Sequence, residues 1–235
     1  MKNLQIYPRL FGLLTLGFVL ATVIGTLSHE LAHVAVARCL GHKTTLHYAS
    51  MNHYSEASHA LEVYYETYKS HIMSKKDSPE KREFFRQFNA IGAQSAIVRL
   101  GGPIQTAITG TIGVIVLWFR RKKIVLAGMQ YTDWLFVLLS FFWSRQICNY
   151  LMGMYGVLKG RTSYGDDETR IDLYFGLPLS CTGLTTAIIA TALLSWVTFF
   201  VIPKNQRLTF IVSGLAGSLL GWMVWLEWMG PVLLP

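Results

Sequence analysis

Charged side chains are scarce in this chain. Of its 235 residues only 14% are Asp, Glu, Lys or Arg, whereas 52% are hydrophobic. A soluble domain usually carries about 25% charged residues. The shortage argues against an ordinary soluble domain and indicates a chain whose surface faces lipid. We therefore expect the hydrophobic residues to fall into runs long enough to cross a bilayer.

Cysteine is also rare, and its few positions form no recognisable pattern. Cys39, Cys148 and Cys181 lie in or beside apolar runs, and none belongs to a Cys-x-x-Cys pair. This spacing predicts neither a disulfide framework nor a thiolate metal site. We expect the three side chains to behave as small buried hydrophobic groups.

A separate basic domain for nucleic acid is missing too. The formal net charge is +8, but much of it sits in short clusters at the ends of apolar runs, such as 120–123. Clusters of this kind fix the orientation of membrane proteins. The expected partner of these charges is the lipid bilayer, and nucleic-acid binding is set aside.

Long apolar runs dominate what is present. A run of about 20 residues is enough for a helix to cross the hydrocarbon core. The predicted fold is therefore a single all-α integral membrane domain, 1–235, with about five transmembrane helices. Its one extramembrane region, 42–89, is expected to hold a short β-hairpin. The predicted spans are 10–40, 90–119, 134–158, 174–202 and 208–229.

Basic residues in the short loops predict the orientation. Lys2 with Arg9, the 120–123 cluster, and Lys204 with Arg207 all fall on one side of a five-span chain. The positive-inside rule places that side in the cytoplasm, together with the N-terminus. We therefore expect a multi-pass protein of the bacterial inner, or cytoplasmic, membrane, with 42–89 and 159–173 outside.

Local patterns predict the structure of the extramembrane region. Thr44–Tyr48 and Leu61–Tyr65 are rich in Thr, Tyr and Val, which favours two short strands. Ser78 followed by Pro79 and Glu80 has the features of a helix start. We expect an amphipathic helix to begin there and to lead into the second span.

Five residues of the first span, His29-Glu30-Leu31-Ala32-His33, carry the clearest chemical signal. Histidines four apart on a helix share one face, so both imidazoles can reach a single Zn²⁺. Zinc lowers the pKa of a bound water from about 15.7 to roughly 7. Glu30 can accept that water's proton and return it to a leaving amine. Because ionisable residues inside a span are costly, we predict His29 and His33 as zinc ligands and Glu30 as the catalytic base.

The residues around this motif resemble the site-2 protease family of intramembrane zinc metalloproteases. The family's first motif reads roughly HExxHxxxAxxxG, and Ala37 and Gly41 fill its last two places. The run 100–103, Leu-Gly-Gly-Pro, resembles the family's Gly-Pro element, while Thr106 stands where the family often has Asn. The resemblance implies Zn²⁺-dependent hydrolysis of peptide bonds in membrane proteins or membrane-associated peptides.

A catalytic zinc site needs a third protein ligand, with the fourth place left to water. The resemblance implies an Asp near a later span, and the chain lacks the family's usual Asn-Pro-Asp-Gly string. The region is similar to a bacterial branch in which a Ser-Asp pair precedes Gly-x-Pro, which points to Asp167, eleven residues before Pro178. The predicted topology also puts Asp167 on the same outer side as the two histidines. Asp166, Glu168 and the loop histidines, His42 in particular, remain alternatives.

Two further arginines lie inside predicted spans, where arginines seek carboxylates. We expect Arg99 or Arg145 to pair with the acidic group 166–168 or with Glu227. A protease-like scaffold or regulator that binds without cleaving is an alternative function, favoured by the missing Asn-Pro-Asp-Gly string. A membrane di-iron oxidase is disfavoured, because the remaining histidines are never adjacent.

Overall fold

Helices dominate the architecture. The computed structural model describes residues 5–160 and 166–235, and 81% of it is helical. In chain order the elements are α1 (Pro8–Cys39), β1 (Lys43–Leu46), β2 (Met51–Tyr54), α2 (Glu56–Ile72), α3 (Pro79–Ala127), α4 (Tyr131–Ser140), α5 (Ser144–Leu158), α6 (Asp167–Phe175), α7 (Cys181–Trp196), α8 (Arg207–Trp222) and α9 (Gly230–Leu233).

Four helical stretches are long and apolar enough to cross a membrane. They are Pro8–Cys39, Pro79–Ala127, Cys181–Val201 and Arg207–Leu233, the last two continuing α7 and α8 through π-helical turns. These stretches agree with the predicted all-α membrane fold, but the predicted count of five spans is not confirmed.

The predicted third span, 134–158, is broken in the middle. α4 has 10 residues and α5 has 15, and a 3₁₀ turn, Phe141–Trp143, joins them. The hydroxyls of Ser140 and Ser144 donate to the carbonyls of Val137 and Phe141, at 2.7 and 2.6 Å. Side-chain bonds of this kind compete with the helical ladder and bend it.

The predicted fourth span, 174–202, begins too early. Residues 174 and 175 belong to α6, which ends where Gly176 adopts a left-handed conformation at φ 66°. Such a C-terminal glycine stops a helix, and Pro178 follows it. The apolar helix α7 therefore starts at Cys181.

The extramembrane region holds one predicted strand and lacks the other. β1 pairs antiparallel with β2, Lys43 facing Tyr54, whereas the stretch Leu61–Tyr65 lies inside α2. The prediction of a second strand there is wrong, because those residues pack with helical spacing: the ring of Tyr65 lies 5.5 Å from that of Phe84 on α3.

The predicted helix start at Ser78 is confirmed. Its hydroxyl accepts a hydrogen bond from the amide of Lys81 at 3.2 Å, and Pro79 occupies the first turn. From this cap α3 runs for 49 residues, out of the extramembrane region and through the second span.

Small residues let the long helices approach closely. Ser213, Gly217 and Gly221 recur every fourth residue on the face of α8 that meets α1. A Cβ at Gly221 would lie 2.8 Å from the side chain of Thr22. Stripes of this kind are a common means of packing helices in lipid.

The apolar core lies towards the N-terminal half of α1. Leu14 and Phe18 pack there with Leu117, Val137 and Phe210, and the opposite end of α1 is left for polar groups. The three cysteines lie outside this core: Cys39, Cys148 and Cys181 are exposed, so the expectation of buried thiols is wrong.

Candidate metal centre

The last turns of α1 bring the sequence motif together at one buried point. His29 and His33 are 1% and 5% exposed, and their ring centroids lie 4.8 Å apart. Glu30, between them in sequence, is also buried. The helical spacing predicted from sequence therefore places both imidazoles on one face.

Helix α3 orients both rings through their inner nitrogens. Nδ1 of His33 lies 2.7 Å from the carbonyl oxygen of Val98, to which its N–H donates. Nδ1 of His29 lies 2.9 Å from Oγ1 of Thr106. A partner on Nδ1 fixes the tautomer and leaves Nε2 with its lone pair for a metal. The role of Thr106 in holding His29 was not apparent from the sequence.

Asp167, the first residue of α6, faces the same two nitrogens. Its Oδ2 lies 3.2 Å from Nε2 of His33 and 3.5 Å from Nε2 of His29. Bonds of about 2.0–2.1 Å to a tetrahedral zinc put donor atoms roughly 3.3–3.4 Å apart. Nε2 of His29 is buried and has no hydrogen-bond partner among the described residues. The two carboxylate–imidazole distances are therefore close to this spacing, and all three donor atoms lie within 4.8 Å of one another.

Gly102 lies directly in front of the two imidazoles. A Cβ built at this position would collide with Nε2 of both His29 and His33. At Gly101, beside it, α3 approaches α1 closely: a Cβ built on this glycine would lie 2.8 Å from the carbonyl oxygen of Ala32. Gly102 thus keeps the space in front of the paired imidazoles free of a side chain, and Gly101 allows the close packing of α3 on α1.

The other candidate ligands lie elsewhere. The carboxylate of Asp166 caps α6 by accepting from the amide of Thr169 at 2.9 Å. Glu168 is buried, but it does not join the cluster, and His42 is stacked on His53 with their Nδ1 atoms 3.1 Å apart. Within residues 5–160 and 166–235, the only three-residue group spaced for a metal is His29, His33 and Asp167.

The charge of Asp167 depends on its neighbours. Burial alone would raise the pKa of this carboxyl, but the adjacent imidazoles of His29 and His33 outweigh that effect and lower the pKa. Burial raises the pKa of the neighbouring Glu168 carboxyl. Asp167 thus keeps its negative charge beside the two histidines.

Arg145 on α5 faces the candidate base. One of its terminal nitrogens lies 3.6 Å from Oε1 of Glu30. The sequence predicted the acidic group 166–168 or Glu227 as partners of Arg145 and overlooked Glu30. A signal for this partner was present, because Glu30 and Glu227 are the two carboxylates within the predicted spans. Arg99 meets Asp167 as expected, with 3.9 Å between Nη1 and Oδ1.

A polar cavity of about 610 Å³ opens onto this centre. Glu30 and His33 form its floor, and the strand β2 borders it through Met51, Asn52 and His53. Among the residues that the structure describes, the sheet has two strands, so β2 keeps one free edge. The arrangement joins a metal-ligand set, a buried carboxylate and a peptide-sized space.

Comparison of the chain with protein-family models, with curated proteins and with solved structures gives no match. The resemblance to the site-2 proteases therefore rests on the motifs in the sequence.

Proposed function

We propose that this chain is an intramembrane zinc metalloprotease of the site-2 type, which hydrolyses peptide bonds of membrane-associated substrates. The observation that carries the proposal is the meeting of His29, His33 and Asp167 beside the buried carboxylate of Glu30. Two imidazoles, one carboxylate and an open fourth position are the donor set of a catalytic zinc site.

The Nε2 atoms of His29 and His33 and the carboxylate of Asp167 would hold the zinc. When bound, the ion supplies Lewis acidity, which allows water to attack a peptide carbonyl at neutral pH. Glu30 accepts the proton of the attacking water and delivers it to the leaving amine. Arg145 faces Glu30 at 3.6 Å and keeps a positive charge opposite this carboxylate.

The free edge of β2 suits an extended substrate. A transmembrane helix hides its peptide bonds in its own hydrogen-bond ladder, so it has to unwind before cleavage. An unwound segment can pair with an exposed strand through its main chain. Because β2 lines the same cavity as Glu30 and His33, a paired segment lies beside the proposed base.

The proposed setting is the bacterial cytoplasmic membrane, with the N-terminus inside. The four apolar helices support a membrane location. The metal centre would then lie near the outer face, where the polar cavity admits water and the hairpin covers it.

The test compares wild type with Glu30→Gln and His33→Ala, purified in detergent and returned to nanodiscs. Metal content is measured by mass spectrometry, and cleavage with a panel of single-span peptides. Wild type is expected to hold stoichiometric zinc and to cleave. Glu30→Gln is expected to keep zinc and lose cleavage, since the ligands remain but the base does not, and His33→Ala to lose both.

His59→Ala is the matched control, because His59 lies on the exposed surface of α2, away from the cluster. It should behave as wild type. Wild-type cleavage by Glu30→Gln would refute the mechanism. A wild type without zinc and without cleavage would favour the scaffold, and iron with an oxygen requirement would favour the di-iron oxidase.

A further inference from the structure

Three arginines line the polar cavity that opens onto the metal centre: Arg99, Arg145 and Arg170. Arg145 is matched by Glu30 at 3.6 Å. The other two have no comparable match. Their surroundings indicate what this cavity binds besides a metal and a peptide backbone.

Arg99 shares its nearest carboxylate with the metal centre. Its side chain is 31% exposed, and the distance from Nη1 to Oδ1 of Asp167 is 3.9 Å, at the limit of an ion pair. Asp167 is at the same time within 3.5 Å of Nε2 of both histidines. Its negative charge is therefore divided between Arg99 and the ligand cluster.

Arg170 is exposed on α6, one turn after Asp167. Within the described ranges, 5–160 and 166–235, no carboxylate lies within ion-pair distance of its guanidinium. The neighbouring residues 161–165 and the N-terminal residues 1–4, which fall outside those ranges, contain no Asp or Glu. Arg170 thus presents its charge to the cavity.

Arg99 and Arg170 carry like charges and line the same cavity. Two like charges that face one cavity repel each other, and an anion bound between or beside them relieves this repulsion. The remaining carboxylate of this wall, Asp166, is occupied in capping α6. Guanidinium groups bind carboxylates with paired N–H donors, which gives such an anion a defined position.

We propose that Arg99 and Arg170 form a carboxylate-binding subsite that selects peptides with an acidic group close to the scissile bond. This inference rests on the proposed proteolytic function, because it names the class of substrate. Arg170 follows Asp167 by three residues of α6, a rise of roughly 4.5 Å along the helix axis. An extended peptide advances about 3.3 Å per residue, so the carboxylate belongs about one to three residues from the cleaved bond.

The test uses peptides that differ only at one position near the scissile bond, which carries Glu, Gln or Lys. Each is made with a free and with an amidated C-terminus, so that a side-chain carboxylate is distinguished from a terminal one. Peptide binding is measured on the Glu30→Gln variant, in which cleavage does not interfere. Cleavage is measured on the chain that retains Glu30. The Glu peptide is expected to bind at least about tenfold more tightly than the Gln peptide, and the Lys peptide most weakly.

Charge variants locate the effect. Arg170→Glu is expected to reverse the preference between the Glu and Lys peptides, and Arg99→Gln to reduce it. Lys75→Glu is the matched control: it makes the same change of charge at an exposed position before α3, outside the cavity, and should leave the preference unchanged. The preference should also weaken with added salt, because the subsite is open to solvent.

The outcomes separate this inference from the proposed function. Cleavage without discrimination between Glu and Gln peptides would overturn the subsite and leave the protease intact. Tight binding of the Glu peptide by a chain that holds no zinc and never cleaves would support the subsite and overturn the protease. Equal binding of all peptides, with a response to anionic lipid in the nanodisc instead, would also overturn the peptide-selective subsite.

Discussion

A guanidinium nitrogen of Arg145 lies 3.6 Å from the carboxylate of Glu30, so the candidate base is held by a cation from another helix. The pair is largely buried on the Glu30 side and opens into the polar cavity on the Arg145 side. A charge in this position can orient Glu30 and can also stabilise negative charge that develops on a substrate carbonyl.

Arg145→Met is therefore expected to lower kcat by about 10²-fold, the usual cost of losing one preorganised donor, with little change in KM. Arg145→Lys should recover part of the loss, because it restores the charge without the planar fork. Steady-state kinetics give the two constants separately, and zinc content provides the check on the ligands. A variant that loses zinc as well would assign Arg145 to the integrity of the site instead.

Gly102→Ala is expected to abolish stoichiometric zinc binding. The added methyl group would occupy the space in front of Nε2 of both His29 and His33. The matched control is Gly92→Ala on the same helix, where the nearest atom to the new Cβ is 3.9 Å away on Tyr174. The measurement is the zinc content of the two purified variants. Full zinc occupancy of Gly102→Ala would contradict the proposed position of the ion.

Thr106→Val removes the hydroxyl beside Nδ1 of His29 and keeps the shape of the side chain. Partners of ligating histidines typically contribute 10- to 100-fold to metal affinity. We expect a loss of about that size in a competition titration with a zinc chelator. Thr106→Ser, which retains the hydroxyl, should remain close to wild type; equal losses in both variants would point to packing rather than the hydrogen bond.

The hairpin is expected to loosen in mild acid. Burial lowers the pKa of His53, and the nearby charges of His42 and Arg99 act in the same direction. In the unfolded chain a histidine titrates near pH 6.5, so the unfolded state takes up the proton first. The stability that this residue contributes is therefore complete above about pH 6.5 and declines as the pH falls below it.

Hydrogen exchange of residues 43–54 at pH values on either side of that point measures this loosening. His53→Gln should remove most of the pH dependence, since it no longer titrates. His59→Gln changes an exposed histidine of α2 and should not. An identical pH response in all three proteins would show that another group is responsible.

Local sequence rules were sufficient to predict the parts of the molecule that depend on neighbouring residues in the chain. The pairing of His29 with His33 on one face follows from helical spacing, and the start of α3 follows from the capping side chain of Ser78. For Leu61–Tyr65 the local composition gave a wrong prediction. Its β-rich composition favoured a strand, but packing of Tyr65 against Phe84 selected a helix.

Relationships across the bundle could not be read from sequence in this way. The break between α4 and α5 contains neither Pro nor Gly, the residues that usually interrupt a helix. The contact of Thr106 with His29 joins residues 77 positions apart, and it becomes visible only once α3 has packed on α1. The proposed third ligand was reached through a resemblance, and spacing alone left Asp166 and Glu168 equal to it.

The metal centre joins parts of the chain that are made at very different times. His29 and His33 are in place once α1 has formed, whereas Asp167 follows His33 by 134 residues and arrives with α6. A nascent chain would therefore hold two donors and bind zinc weakly until the later helices have docked. In the proposed enzyme, zinc occupancy would then act as a checkpoint on assembly: the ion would stabilise the finished bundle, and hydrolytic capacity would appear only after the chain has folded.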